Sequence, residues 1–441
     1  MKIALVIEHF DALRGGAERF AVWLAGELAR RGVQVEVLCH DARARYNPNR
    51  AAHQGASHDA GRSAAARVPE YAPPPEGVTV HRLPGPKLSS GLGFRQFGRK
   101  VEQWCRRHEP EVVHSISVAY AGDIYHSEAG VYAGIQEAAV ASRMTPSGAA
   151  LKRLLLSLPG KARTLLALER AATLPWQPQG LNLKGQGGGS RGRAARGGAW
   201  RLVCISPMME EEFQHYYGVP AERLVRLDNP RLDPLPDLEG VPTLRESFRG
   251  HYKYTPQDRV AAFVGHDFRR KGLRWAIEAV AQSRQHWKLL VVGLGKVREY
   301  VELVEDRGLQ DRVHFVGPTQ EMDQVYAASD ALIIPTFYDS FGFVAVEALA
   351  YGLPVIATRT LGCYRLITDH QVGTIVDSPR DVAQMAAALD ALPVDGPART
   401  ALAGRARAAA AGGGGSAEAF LERLLALYDA CLAEKRNPHA V

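Results

Sequence analysis

The sequence predicts an α/β protein of two domains in tandem, each with an open, mainly parallel β-sheet. Two observations indicate this fold class. Short β-branched runs typical of buried strands alternate with amphipathic helical patterns along most of the chain. The alternation comes in two sets, which the turn-rich segment PLPDLEGVP separates near residues 234–245. Because open α/β sheets bind ligands outside the carboxyl ends of their strands, we expect a functional cleft between the two domains.

The first set of elements occupies residues 1–240. It opens with the strand KIALVI, the helix AERFAVWLAGELARRG and the strand VQVEVLC, which form one βαβ unit. The later strands are GVTVHRL, VVHSIS and RLVCISP, and a long helical stretch covers about residues 149–174. Residues 41–75 and the Gly/Arg-rich residues 176–199 lack apolar periodicity, so we expect two low-complexity insertions there.

The second set occupies residues 241–412. Its predicted strands are AAFVG, KLLVVG, RVHFVG, ALIIPT, PVIAT and TIVD, separated by helical patterns. The remaining residues, 413–441, contain the helix AEAFLERLLALYDACLAEK. We expect that helix to pack back on the first domain.

Composition excludes several classes of protein. A chain of 441 residues with 46% hydrophobic content is long enough for two or three globular domains. Five scattered cysteines without a CxxC pair argue against a disulfide framework or a zinc site and favour a reducing cytoplasm. Glu8 and His9 end the first apolar run well short of a signal peptide or a spanning helix. The sequence therefore predicts a soluble or membrane-peripheral protein.

Positive charge is concentrated in residues 141–201. This segment holds eleven Lys or Arg and one acid, a net charge of +10, whereas the whole chain has a formal charge of +7. Such a segment suggests an anionic partner, for example phospholipid, nucleic acid or an acidic acceptor. The alternative is a solvated face with a charged loop.

Two glycine-containing loops could bind a phosphate. In LRGGAER, Gly15 and Gly16 precede a helix and could present free amides to a phosphate or sugar oxygen. In VGHDFRRKG, the cations Arg269, Arg270 and Lys271 lie between a strand end and a helix start. Cations in that position can clamp a diphosphate, although the same run could be ordinary solvated charge.

The segment DSFGFVAVEALAYG places a carboxylate, Glu347, in an apolar helix. We expect the helix to begin near Ser340, so the carboxylates of Asp339 and Glu347 would lie roughly 10 Å apart at 1.5 Å per residue. That span is comparable to the distance from ribose to sugar in a nucleotide-sugar. The alternatives are a plain helix cap for Asp339 and a solvent-facing position for Glu347.

Together these motifs resemble those of a known family. The pattern D-x7-E followed by ALAYGLPVIAT, with HDFRRKG upstream and RGGAER near the start, resembles retaining glycosyltransferases of family 4. Those enzymes have the GT-B fold, in which two Rossmann-like domains face each other across a cleft. The segments GHDFRRKGLRWAIEA, AGDIYHSEAG and ALERAATL are most similar to the lipopolysaccharide core glucosyltransferase branch.

The resemblance implies a role for each motif. Residues 1–240 would bind the acceptor and residues 241–412 the nucleotide-sugar, with UDP-glucose or a related UDP-hexose as the expected donor. Glu347 would hold the ribose, and Asp339 would bind the transferred sugar. The other implied site residues are Gly15, Gly16, Arg269, Arg270, Gly342 and Phe343 for donor binding, Lys271 for donor binding and catalysis, and Asp123 and His126 for catalysis on the acceptor side.

The resemblance also implies the chemistry. Transfer would proceed with retention, the departing phosphate would take the acceptor proton, and neither a metal nor another cofactor is expected; the chain has no D-x-D sequence. Two positions depart from the family pattern, since Asp339 stands where Glu is usual and His266 where Arg is usual. These departures bear on the identity of the sugar more than on the reaction.

The expected partners are a nucleotide-sugar donor and a glycan or lipid-linked acceptor. The stretch LKRLLLSLPGKARTLLALER interleaves leucines with Lys152, Arg153, Lys161 and Arg163, so an anionic membrane surface is a further candidate, with the protein on the inner face of the cytoplasmic membrane. The competing view places the leucines in the core. One alternative function is RNA binding through GGGSRGRAARGG, but the tract lacks interleaved aromatic residues, so nucleic acid is not the favoured partner. Another is a sugar-nucleotide epimerase or phosphorylase.

Overall fold

The computed structural model describes residues 1–12, 14–41, 74–175, 198–393, 395–412 and 416–436. Both segments expected to be insertions lie almost entirely outside these residues. The described chain forms two β-sheets, and all the strand pairings given for each sheet are parallel.

The first sheet has seven strands in the order β3-β2-β1-β4-β5-β6-β7. The order runs outward in both directions from β1 and β4, so the chain crosses over between them, as in a doubly wound sheet. The strands are β1 (Lys2–His9), β2 (Gln34–Asp41), β3 (Val78–Arg82), β4 (Val112–Ser115), β5 (Ile124–His126), β6 (Arg201–Cys204) and β7 (Leu224–Arg226). The helices are α1 (Gly16–Arg30), α2 (Gly91–His108), α3 (Tyr132–Ala141), α4 (Pro146–Ser157), α5 (Lys161–Thr173) and α6 (Pro207–Tyr217).

The second sheet has six strands in the order β10-β9-β8-β11-β12-β13. Its switch in winding direction falls between β8 and β11, which carry the two loops with the predicted donor motifs. The strands are β8 (Val260–Val264), β9 (Lys288–Val292), β10 (Val313–Gly317), β11 (Ala331–Ile334), β12 (Val355–Thr358) and β13 (Gly373–Val376). The helices are α7 (Val241–His251), α8 (Phe268–Lys271), α9 (Leu273–Gln282), α10 (Arg298–Asp306), α11 (Met322–Ala328), α12 (Phe343–Ala350), α13 (Tyr364–Asp369), α14 (Val382–Ala391), α15 (Gly396–Gly412) and α16 (Ala417–Arg436).

The last helix, α16, packs on the first sheet. Its side chains Phe420, Leu421, Leu424 and Tyr428 are buried in one cluster with β1, β2 and α1. Helix α15 remains with the second sheet, where it packs on α12. The chain therefore returns to the first sheet after the second is complete, and apolar burial holds α16 there.

Strands β5 and β7 and the long helical stretch differ from the sequence prediction. Strands β5 and β7, of three residues each, were not predicted. The long helical stretch is two helices, α4 and α5, because residues 158–160 (LPG) interrupt it. The five cysteines are free thiols in the structure. None of the helices in the described part of the chain combines the length and the hydropathy needed to cross a bilayer.

Candidate active site

The carboxyl edges of the two sheets meet along a line of direct contacts. The loop after β11 reaches into the first sheet's half, where Ser340 Oγ donates to the carbonyl oxygen of Glu128, 2.7 Å away. In the same loop the hydroxyl of Tyr338 accepts from the amide of Val131 at 2.8 Å and donates to Glu212 at 2.8 Å. The site therefore lies where the strand ends of both sheets face each other.

The loop after β11 ends in a glycine that starts the helix carrying Glu347. Gly342 has φ of 98°, in the left-handed region, and a Cβ at this position would overlap Leu361. Helix α12 begins only at Phe343, and no side chain caps it, so the predicted start near Ser340 and the alternative of a plain cap from Asp339 are both wrong. The amides of Gly342 and Phe343 thus lie at the helix start, where free N–H groups favour an anion.

Lys271 and Asp339 form an ion pair between the loops that follow β8 and β11. The pair is largely buried, with side chains 11% and 14% exposed. Burial lowers the pKa of the Lys271 ammonium, and the charge of Asp339 offsets part of this shift. Gly272 follows with φ of 82°, and a Cβ there would overlap the carbonyl of Pro335, so only glycine fits this turn. The turn places a fixed cation beside a carboxylate at the carboxyl edge.

The two arginines next to Lys271 have other partners. Arg270 donates from Nη1 to the carbonyl oxygen of Tyr338 at 2.5 Å, so it ties the two loops together. Arg269 donates to both carboxylate oxygens of Glu299 at 3.0 Å, which joins it to α10. Of the three predicted cations, the structure therefore brings Lys271 to Asp339 and Arg270 to the neighbouring loop, while Arg269 is held by α10.

Glu347 is held by two side chains from different parts of the fold. Its Oε1 accepts from Arg19 Nη1 at 3.0 Å, and its Oε2 accepts from the hydroxyl of Tyr326 at 2.8 Å. Arg19 belongs to α1 in the first sheet's half, and 23% of the Glu347 side chain remains exposed. The carboxylate in this apolar helix is thus partnered from both sides and still partly open to solvent.

The paired glycines bring the start of α1 close to the start of α12. A Cβ on Gly16 would lie 3.1 Å from the ring of Phe343, while Gly15 is the N-cap residue in an extended conformation. Phe343 also packs against the ring of Phe341 at 5.0 Å between centroids. The absence of a side chain at Gly16 therefore permits the two helix starts to approach each other.

Asp123 does not lie at the cleft, and the prediction that placed it there is wrong. It precedes β5, which runs parallel to β4, so the loop before it has already returned to the amino edge of the sheet. Its carboxylate accepts from the amide of Val113 at 2.7 Å and from Lys435 of α16 at 2.7 Å. The same lysine donates to the carbonyl of Glu111, which precedes β4. Asp123 therefore anchors the C-terminal helix.

His126 ends β5 at the carboxyl edge, but its ring is fully buried. The ring stacks on His114, whose Nε2 lies 3.1 Å from His126 Nδ1 and whose Nδ1 lies 2.6 Å from the hydroxyl of Tyr428. On the other side, His126 Nε2 lies 3.0 Å from Oε1 of Glu128, whose Oε2 accepts from Asn229 at 2.7 Å. A row of buried polar side chains thus leads from α16 to the loop that contacts the second half.

Burial keeps the side chains of His114, His126 and Glu128 uncharged near neutral pH. It lowers the pKa of His126 to about 3 and raises the pKa of Glu128 to about 8. The pKa of His114 is also lowered well below its ordinary value by burial. His126 therefore supports the loop after β5 through its contact with Glu128. This buried position does not agree with the prediction that His126 faces the reacting groups.

Sequence reasoning missed three polar residues at this edge. Arg19 lies three positions beyond the paired glycines, Glu128 lies two beyond His126, and Glu8 is partly buried near the end of β1, where its carboxylate accepts from Ser117 at 2.6 Å. Burial raises the pKa of Glu8. Each of these residues lies close to a motif or strand that was recognised from the sequence. The signal that could have identified them is a carboxylate or guanidinium at the end of a strand or helix.

Comparison with known proteins decides the family. Residues 15–230 match the model of the glycosyl transferase 4-like domain, and residues 245–409 match that of the glycosyl transferases group 1. The two matches follow the two sheets. The chain belongs to the group 1 glycosyltransferases. These matches do not favour the RNA-binding alternative or the epimerase and phosphorylase alternative.

The relatives of this glycosyltransferase include enzymes of several specificities. The lipopolysaccharide glucosyltransferase WaaG of Escherichia coli is 32% identical over 216 residues, which are 48% of this chain and 58% of that relative. The D-inositol 3-phosphate glycosyltransferase of Corynebacterium diphtheriae is 26% identical over 431 residues, 90% of this chain and 88% of the relative. The chain thus spans little more than half the length of the first of them.

Solved structures establish the fold of the glycosyltransferase as GT-B. The crystal structure of WaaG superposes with a TM-score of 0.68 at 23% identity and covers 92% of this chain and 95% of its own. HepE of Anabaena, solved in complex with UDP-glucose, superposes with a TM-score of 0.62 at 17% identity and covers 97% of this chain and all of its own. The expectation of an α/β fold with two Rossmann-like domains is confirmed.

Proposed function

We propose that the enzyme moves a hexose, with UDP-glucose as the favoured donor, from a nucleotide-sugar onto a glycan or lipid-linked glycan of the cell envelope. The observation that carries the proposal is the buried Lys271–Asp339 pair beside the free helix start at Gly342, with Glu347 further along the same helix. This arrangement offers a cation and free amides for a diphosphate and a carboxylate for each flanking sugar. WaaG is named for lipopolysaccharide glucosyl transfer, and HepE was solved with UDP-glucose.

Each residue takes one part in binding the donor. Glu347 accepts hydrogen bonds from the ribose hydroxyls, and Asp339 accepts from hydroxyls of the transferred sugar. Lys271 and the amides of Gly342 and Phe343 bind the diphosphate, because the positive end of a helix and a cation both favour oxyanions. Arg270 holds the loop that carries Asp339, through its bond to Tyr338.

Charge separation governs the chemical step. Cleavage of the anomeric C–O bond develops positive charge on the sugar and negative charge on the diphosphate. Lys271, fixed by burial beside Asp339, stabilises the developing negative charge without reorganising. We propose transfer with retention and without a metal ion, the departing phosphate taking the acceptor proton. Contact between the two domains excludes water and limits hydrolysis of the donor.

The acceptor side adjoins a surface suited to an anionic membrane. Helix α4 buries none of its side chains, and its leucines Leu151, Leu154 and Leu155 are each more than half exposed. In α5, by contrast, Leu165 is buried, so the view that the leucines are core holds there only. The exposed leucines stand among Lys152, Arg153, Lys161 and Arg163. We infer peripheral attachment at this face, where each cation contributes about 1 kcal/mol.

A donor screen tests the proposed function. The full chain is incubated with a panel of UDP-, GDP- and ADP-sugars, and thermal stabilisation and loss of the sugar are measured, the latter by mass spectrometry. We expect UDP-glucose to give the largest rise in Tm and the fastest hydrolysis or transfer. If none of the nucleotide-sugars stabilises the protein or loses its sugar, the proposal is refuted.

A further inference from the structure

Arg19 lies where three parts of the molecule meet. It occupies the first turns of α1, in the half of the first sheet. Its Nη1 donates to Glu347 of α12 at 3.0 Å, and its Nη2 pairs with Asp233, in the segment that links the two domains. A single guanidinium thus joins the first domain, the link and the helix that carries the proposed ribose ligand.

The two contacts of Glu347 fix the orientation of its carboxylate. Tyr326, which is fully buried on α11, donates to Oε2 at 2.8 Å, while Arg19 donates to Oε1 at 3.0 Å. An ionised carboxylate offers about four lone-pair sites, so two remain after these bonds. Because 23% of the side chain is exposed, those sites are open to a ligand.

We propose that Arg19 is a positioning residue for ribose recognition: from the opposite domain it orients Glu347 toward the 2′,3′-diol of a ribonucleotide donor. The inference rests on the proposed function, in which Glu347 binds the ribose. It adds that discrimination between ribose and deoxyribose depends on contact between the domains. Glutamate has three flexible torsions, and a guanidinium held in turn by Asp233 removes that freedom before the donor binds.

The test measures preference for ribose in the full chain. Isothermal titration gives the Kd of UDP, GDP, ADP and CDP and of their 2′-deoxy counterparts, and the ribonucleotide that binds most tightly is compared with its own 2′-deoxy form. Since a hydrogen bond to a charged group is lost, we expect the wild type to prefer the ribonucleotide by about tenfold to a hundredfold. In Arg19→Ala this ratio should fall below about threefold, while binding of the deoxynucleotide changes little.

Three further variants separate positioning from a general loss of structure. Arg19→Lys should recover part of the ratio, because a lysine can still donate to Oε1. Arg14→Ala is the matched control, since Arg14 pairs with Glu18 at 3.3 Å near the same helix start, and it should keep the wild-type ratio. The double variant Arg19→Ala/Glu347→Gln should show no lower ratio than Glu347→Gln alone, because Arg19 acts through Glu347.

The outcomes distinguish two kinds of failure. A ratio that is lost in Glu347→Gln but kept in Arg19→Ala overturns the inference and leaves the proposed ribose contact intact. A ratio that is unchanged in Glu347→Gln, or is absent from the wild type, overturns the ribose role of Glu347 and the inference with it. Loss in Arg14→Ala as well would show that α1 as a whole, and not Arg19, is responsible.

Discussion

The two domains arrange the polar groups at their carboxyl edges differently. In the second domain, Lys271, Asp339 and Glu347 keep between 11% and 23% of their side chains exposed. In the first domain, the side chains of His126 and Glu128 are 0% and 2% exposed and lie against each other. The second edge thus offers charged groups to a ligand, whereas the first keeps His126 and Glu128 covered.

This difference indicates which kind of ligand each edge can bind. The covered groups of the first edge are uncharged near neutral pH, since burial lowers the pKa of His126 to about 3 and raises that of Glu128 to about 8. The second edge holds a fixed ion pair, which suits the changing charge of a departing diphosphate. We infer that the charges proposed to stabilise the departing diphosphate lie in the second domain, and that the covered groups of the first domain support the loop at residues 127–131.

The largest effect is expected at the ion pair between Lys271 and Asp339, whose side chains are 11% and 14% exposed. Lys271→Ala should lower kcat by about a hundredfold or more while changing the KM for the donor less, because the cation acts mainly as the diphosphate leaves. Steady-state kinetics with the best donor of the screen measures this. Lys288→Ala is the matched control, since Lys288 also pairs with a carboxylate, Asp258 at 3.3 Å, but at the amino end of β9. Turnover within twofold of wild type in Lys271→Ala would contradict the assignment.

The next effect concerns the covered groups, through the pH dependence of stability. Below pH 4.5 the carboxyl of Glu128 is protonated in both the folded and the unfolded chain. Between pH 4.5 and about 8 only the unfolded chain ionises it, so the free energy of unfolding falls as pH rises through that window. Glu128→Gln keeps the shape of the protonated acid, and we expect a smaller loss of Tm from pH 5 to 8 than in wild type.

Two comparisons sharpen this measurement. Burial raises the pKa of Glu169 to about 7 and that of Glu212 to about 8, so part of the pH dependence should survive in Glu128→Gln. The exposed residue Glu305 supplies the control, because Glu305→Gln should keep the wild-type slope. Identical slopes in wild type and Glu128→Gln would show that Glu128 is ionised in the folded protein.

The second domain's site was the more predictable of the two, for a physical reason. Its site residues come from two contiguous segments, and each segment follows an apolar strand that the sequence pattern predicts. The sequence therefore predicted both the motif and its place at the end of a strand. The first domain's edge is assembled from short strands. Strand β5 has only three residues, and it follows β4 after an interval of eight residues. That interval is too short for the crossover helix that would have indicated a further parallel strand.

Contacts that are distant in sequence account for the rest. Arg19 and Glu347 are 328 positions apart, and His114 and Tyr428 are 314 apart. No local pattern signals such pairs, because each residue alone fits a solvated helix face or a buried strand equally well. The same limit explains Asp123, which sequence order placed after β4 and parallel pairing placed before β5.

Asp123→Asn distinguishes the anchoring role from the catalytic role that the sequence suggested. We expect transfer activity close to wild type and a loss of about 1 to 3 kcal/mol in the free energy of unfolding, since the charge-assisted bond from Lys435 is weakened. Chemical denaturation and an initial-rate assay measure the two quantities. The exposed Asp429 on α16 is the control, and Asp429→Asn should change neither. A folded Asp123→Asn protein without activity would return Asp123 to the catalytic machinery.

The smallest effect on folding is expected at the exposed leucines of α4. Leu151, Leu154 and Leu155 are 57%, 59% and 55% exposed, so replacing all three by Ser should change the free energy of unfolding by no more than about 0.5 kcal/mol per site. The same variant should lose flotation with anionic vesicles at low salt. A second variant, with Ser at the positions of Lys152, Arg153, Lys161 and Arg163, should also fail to float but keep its activity on a soluble acceptor.

Salt and a distant leucine decide whether this face binds the membrane. Electrostatic attachment is screened, so wild-type flotation should fall as salt rises from about 0.05 M to 0.5 M, where the Debye length shrinks well below 10 Å. Leu238 is comparably exposed, at 43%, but lies in the link between the domains, and Leu238→Ser should float as wild type does. Flotation by both variants would show that these leucines of α4 and these cations of α4 and α5 only face solvent. Loss of flotation in Leu238→Ser would instead move the membrane contact to the link between the domains.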